Sequence, residues 1–190
     1  MALISSAAFA APSFKIYEVA VPNSKRAAVL EATDTFMKSA KGKTYNGGLR
    51  VNTILANGIS PATHTFILLM DSMAAIEEWE TSLIGEPDIT TFGAALEENS
   101  TPSSKYMSRM METWGNISND NRTWLITRFR TTDPMAVVKE QDKLDKATKG
   151  KFPGQIVLHS IPVGSRTGAK NDYSTLVLVA GYESIAEKEN

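Results

Sequence analysis

Two stretches of this chain spell out the same succession of elements, and that duplication narrows the available folds more than any other feature. Gly48-Leu-Arg-Val-Asn-Thr-Ile-Leu, a turn at Asn57-Gly58 and Phe66-Ile-Leu-Leu-Met-Asp-Ser-Met-Ala-Ala-Ile read as strand, turn, strand and helix start. Gly154-Gln-Ile-Val-Leu-His-Ser-Ile, a turn at Gly164 and Thr175-Leu-Val-Leu-Val-Ala-Gly-Tyr-Glu-Ser-Ile read the same way. The offset is 106 at the glycine turns and 109 at the second strands, so the second loop is three residues longer. Upstream, Val29 and Val137, Leu30 and Val138, Phe36 and Leu144, and Gly42 and Gly150 all correspond at an offset of 108.

The order within each copy follows from local signals. Phe14 to Val21 alternates apolar and polar residues, which predicts a half-buried strand. Ser24 is placed to cap a helix over 25–38, with Ala28, Val29, Ala32, Phe36 and Met37 as its apolar stripe. Asp71 or Ser72 starts the next helix, and Gly85 and Pro87 end it. Ser103 or Ser104 is expected to open another, with Tyr106, Met107, Met110, Met111 and Trp114 along one side. In the second copy Thr123 to Arg130 reads as the opening strand, and Asp133-Pro134 as a capped helix start. These signals divide the chain into an apolar tail over 1–12, a first unit with a helical extension over 13–115, a linker over 116–122 and a second, shorter unit over 123–190.

Composition excludes several classes of function. With 190 residues, 42% hydrophobic and a net charge of −1, the chain can bury a core and has no overall electrostatic attraction to nucleic acid. It has no cysteine, so disulfides, thiolate metal sites and cysteine nucleophiles are ruled out. No apolar run is long enough for a transmembrane helix. Ala8-Phe9-Ala10 resembles the cleavage end of an export signal but lacks a basic region before it. The expected location is exported or periplasmic if 1–12 is the remnant of a signal, and cytoplasmic otherwise.

Strand, helix, strand, strand, helix is the order of a ferredoxin-like unit. Two such units in one polypeptide resemble the dimeric α/β-barrel superfamily in its fused form. That resemblance implies an α+β protein in which two βαββα repeats set antiparallel sheets face to face, with helices outside. It also implies a range of activities, among them cofactor-free monooxygenases, haem enzymes and binding proteins without chemistry. The haem branches need an axial histidine, usually from a helix. This chain offers only His64 and His159, the first read as a loop residue and the second as a strand residue. No haem, metal or other cofactor is therefore expected.

The candidate site residues come from alternation along strands. His159, flanked by apolar residues, is a candidate general base if its ring faces the space between the sheets. On the outer face it is merely a satisfied histidine. Arg50 and Asn52 share one face of their strand and are candidate substrate-binding groups, with Asn52 equivalent to Leu158 under the repeat. Arg128, with Arg130 beside it, could hold an anion. A solvated sheet face is the competing reading for all three. The expected function is binding of a small organic molecule between two sheets. The alternatives are a cofactor-independent monooxygenase using His159, and an interaction module, with a homo-oligomer compatible with each.

Overall fold

Every described strand of both halves joins one hydrogen-bonded sheet. The computed structural model describes residues 11–56, 58, 60–115, 123–148, 154–165 and 175–182. Its elements are β1 (Ser13–Ala20), α1 (Arg26–Lys38), β2 (Gly48–Thr53), β3 (His64–Met70), α2 (Met73–Thr81), α3 (Pro87–Asn99), β4 (Thr101–Gly115), β5 (Thr123–Phe129), α4 (Pro134–Ala147), β6 (Gln155–Ser165) and β7 (Leu176–Tyr182). The strands lie in the order β2-β3-β1-β4-β6-β7-β5, and every recorded pairing is antiparallel. The order β1-β3-β2 recurs as β5-β7-β6, and β4 joins the two sets by pairing with both β1 and β6.

β4 corrects the helix expected from Ser103 or Ser104. It is a strand of 15 residues, and its pairing with β6 shifts register between Met107 and Arg109 and again between Met110 and Glu112. The first shift adds a residue to β6 and the second adds one to β4. β4 still alternates faces from Ser104 to Arg109, but apolar residues lie on both faces, so Tyr106, Met107, Met110, Met111 and Trp114 fall at spacings that imitate a helix. Met107 packs on the helix side of the sheet, whereas Tyr106 packs on the other. Pro87, expected to end a helix, also opens one, because a missing N–H is harmless in the first turn of α3.

The other helix starts divide. Ser72 Oγ accepts from the Ala75 N–H at 3.1 Å, and Asp133 Oδ1 accepts from the Ala136 N–H at 3.0 Å. Ser24 caps nothing, because it sits inside a short 3₁₀ turn (Asn23–Lys25) that precedes α1. His64, expected in a loop, is instead the first residue of β3 and is buried. The expected linker over 116–122, Gly150 and the helix start at Glu183 lie outside the described residues.

The sheet curls. Ile16 of β1, Tyr106 of β4 and Val177 of β7 form one buried cluster with Phe14, Ile67, Ile161 and Val179 around it. β1 and β7 are three strand spacings apart, about 14 Å in a flat sheet, so side chains meet only across a concave face. The opposite, convex face carries the helices. Val137 and Val138 of α4 pack against Trp114, Leu158 and Leu176, and Ile76 of α2 packs beside Tyr45 and Met70. Among the described residues the result is an α+β fold with four helices outside a half-barrel of seven strands.

Candidate ligand cavity

Direct strand partners share a face, so the pairings place each candidate residue. Asn52 pairs with Thr65 and Thr65 with Glu18, while Arg50 pairs with Ile67 and Ile67 with Ile16. Both residues therefore lie on the concave face, as do His159 and Arg128, each paired with Val177. Leu158 pairs with Leu178 and belongs to the helix-side cluster, so it does not occupy Asn52's place. The expected equivalence fails by one residue, and His159 takes that face instead.

Sharing a face does not bring the four together. His159 is 7% exposed; its Nδ1 is 3.3 Å from Ser108 Oγ, and Phe14 meets its ring edge-on at 4.7 Å. Burial lowers its pKa from 6.5 to about 4, so the imidazole is neutral near pH 7. Arg128 forms an ion pair with Glu18, donates to Tyr106 Oη at 2.9 Å and lies over the Tyr106 ring. The expectation of a solvated strand face therefore fails for Arg128, whose side chain is 11% exposed. Phe14 and Glu18, which mark the two groups on β1, are four residues apart, roughly 13 Å along a strand. Ile16 and Val177 fill the space between them. Asn52 Nδ2 donates to Thr65 Oγ1 at 3.4 Å, and Arg50 is exposed.

The large cavity is on the other side of the sheet. About 550 Å³ lies between α1, α2 and α3 and the convex face of β1, β3 and β4. Its wall includes Phe36, Tyr45, Phe66, Leu68, Trp79 and Phe92. Phe36 stacks on Phe92 at 4.9 Å, and Tyr45 tilts against Trp79 at 4.6 Å. The Trp79 indole N–H is buried and has no hydrogen-bond partner among the described residues. Three helices held apart by aromatic contacts leave an apolar space within the 300–1,000 Å³ typical of small-molecule sites, about 550 Å³ here.

One end of this space is polar. Tyr17 Oη donates to Glu80 Oε1 at 2.8 Å, and Lys15 forms an ion pair with the other oxygen of that carboxylate. Burial, the hydrogen bond to Glu80 and the charge of Glu80 all raise the Tyr17 pKa, so the phenol stays protonated. Lys105 Nζ lies 5.1 Å from the centre of the Tyr17 ring. The alternation of β1 suggested outward polar residues, but both strand faces are covered and Lys15 and Glu18 are buried. Lys15 turns toward α2 and Glu18 toward β5. No lone motif marks this end, because its residues come from β1, α2 and β4.

No family model and no curated protein matches the chain. Solved structures do resemble it. A protein from Fusobacterium nucleatum subsp. nucleatum, provisionally described as a monooxygenase, gives a TM-score of 0.59 at 12% identity, covering 96% of this chain and 80% of its own. An anthrone oxidase-like protein gives 0.60 at 14% identity, with 95% and 76% covered. Chlorite dismutase from Candidatus Nitrospira defluvii, in complex with imidazole, gives 0.54 at 10% identity, with 94% and 79% covered. The shared fold is the dimeric α/β barrel. At such identities the likeness fixes the barrel fold and nothing finer.

The barrel's candidate groups do not suit a haem. Both histidines are on strands, His159 is enclosed by Phe14 and Ser108, and no histidine lines the large cavity. Among the described residues, no group of three histidine, aspartate or glutamate side chains is disposed to hold a metal ion. No described helix is long and apolar enough to cross a membrane.

Proposed function

We propose that this protein binds a small apolar organic molecule in the cavity between α1–α3 and the convex side of the sheet. The scaffold is a fused pair of ferredoxin-like units, a reading supported by the recurrence of β1-β3-β2 as β5-β7-β6. The carrying observation is the aromatic-lined space of about 550 Å³. On the concave face, where a ligand between sheets was expected, Ile16, Tyr106 and Val177 pack against one another. Titration with a neutral, environment-sensitive dye such as N-phenyl-1-naphthylamine tests the reading. Saturable binding of one dye per chain is expected. Gly93 lines the cavity, and a Cβ there meets open space, so Gly93→Phe should weaken dye binding by filling it. Weak, non-saturable uptake that ignores this substitution would count against the cavity.

A second reading keeps the concave face as a catalytic surface. Its support is a neutral imidazole, His159, on a barrel fold shared with proteins described as monooxygenase and anthrone oxidase-like. In that reading His159 takes a proton from an activated phenol or anthrone carbon. Opening of the Phe14 contact is required first. Oxygen uptake in the presence of anthrone, lost in His159→Ala, is the expected result, and unchanged uptake removes the base. A second copy of the chain is a candidate partner under both readings, because β5 is a sheet edge among the described strands and exposes Leu125 and Ile126.

A further inference from the structure

We infer that the molecule held in the helix-side cavity is an anionic amphiphile, with a carboxylate head at Lys105 and an apolar body among the aromatic rings. The inference rests on the cavity being a binding site and adds the chemistry of its occupant.

Charge at the polar end does not balance. Two ammonium groups, Lys15 and Lys105, flank the Tyr17 ring at 5.7 and 5.1 Å from its centre. One carboxylate, Glu80, serves that group, and it is already engaged by Lys15 and by the Tyr17 hydroxyl. Lys105 forms no ion pair among the described residues. The other carboxylates on the cavity wall do not change this. Glu97 lies exposed on α3, and Glu18 is ion-paired with Arg128 on the concave side.

The position of Lys105 makes the surplus useful. It pairs with Tyr17 across the β1–β4 ladder and lines the cavity while remaining exposed, so it stands where the apolar space meets solvent. Partial burial and the neighbouring Lys15 both lower its pKa, opposed by Glu80. An incoming anion offsets that repulsion and favours the charged form. A neutral hydrocarbon would leave Lys105 unused, and a cation would be repelled by it.

Dodecanoate and dodecan-1-ol, both below aggregation, separate head from body. Quenching of Trp79 fluorescence, with Trp114 and Trp124 as background, reports binding to the full chain. Dodecanoate is expected to bind about tenfold more tightly than the alcohol. Lys105→Met should abolish that preference by weakening dodecanoate alone, and Lys105→Arg should restore it. Equal affinity for both probes, or a preference that survives Lys105→Met, overturns the anionic head while leaving the cavity intact. Uptake of the neutral dye with no binding of dodecanoate does the same. Failure of the dye and both amphiphiles overturns the cavity reading itself, and the inference with it.

Discussion

Arg128 on β5 is ion-paired with Glu18 on β1, although three strands stand between them in the sheet. Four strand spacings amount to about 19 Å when flat, so this contact measures the curl of the sheet. The Glu18 carboxylate is buried, and removing its partner leaves an uncompensated charge. Arg128→Met should therefore cost about 3–5 kcal/mol. Glu18→Leu combined with Arg128→Met should recover most of that loss, since an apolar pair needs no counter-ion. Urea unfolding of the two single variants and the double variant measures the coupling. Additive effects would mean that the pair does not hold the curl.

The same asymmetry applies on the helix side, at lower stakes. Lys15 has a side chain 6% exposed, whereas its partner Glu80 is 29% exposed. Glu80→Gln strands the buried ammonium and should cost about 1–3 kcal/mol. Lys15→Met leaves a carboxylate with access to water and with the Tyr17 hydroxyl still donating to it. That change should cost less than about 1 kcal/mol. Chemical denaturation of both variants checks the ranking, and the reverse order would contradict it.

His159 gives the barrel a pH dependence with a defined sign. Its pKa falls from 6.5 to about 4 because burial disfavours the imidazolium. Stability from the neutral ring is fully present above pH 6.5 and is lost as pH falls toward about 4. The loss amounts to about 3 kcal/mol if the site stays closed. His159→Gln keeps a hydrogen-bonding group beside Ser108 but cannot titrate. Between about pH 7 and pH 4 the unfolding free energy of the variant should gain on the parent by that amount. A constant difference across the range would show that His159 is hydrated or already open.

Much of this fold was legible from short-range signals. Alternation located β1, β2 and β5, and Ser72 and Asp133 announced their helices. Local patterns failed where two faces of one strand are both covered. β4 sits between β1 and β6 and carries apolar groups on both sides, so its alternation of faces is not an alternation of polarity. Lys15 and Glu18 carried an available clue. Charges among the apolar residues of a central strand require partners, and those partners lie 65 and 110 residues away in sequence. The cavity was invisible for the same reason. Phe36, Trp79 and Phe92 are ordinary helix-stripe residues until three helices set their spacing.

Gly93 tests whether that spacing is intrinsic to the fold. It lies within α3, at a helical position where a Cβ would meet no atom within 4 Å. Glycine there costs helix stability through backbone entropy, about 1 kcal/mol relative to alanine. Gly93→Ala should accordingly raise stability by about 0.5–1 kcal/mol, because one methyl fits the open space without displacing the wall. The gain appears as a higher denaturation midpoint with an unchanged slope. If α3 instead closes onto the sheet in solution, the added methyl collides with packed neighbours and the substitution destabilises. A loss of stability in Gly93→Ala would thus remove both the open helix layer and the ligand it is proposed to hold.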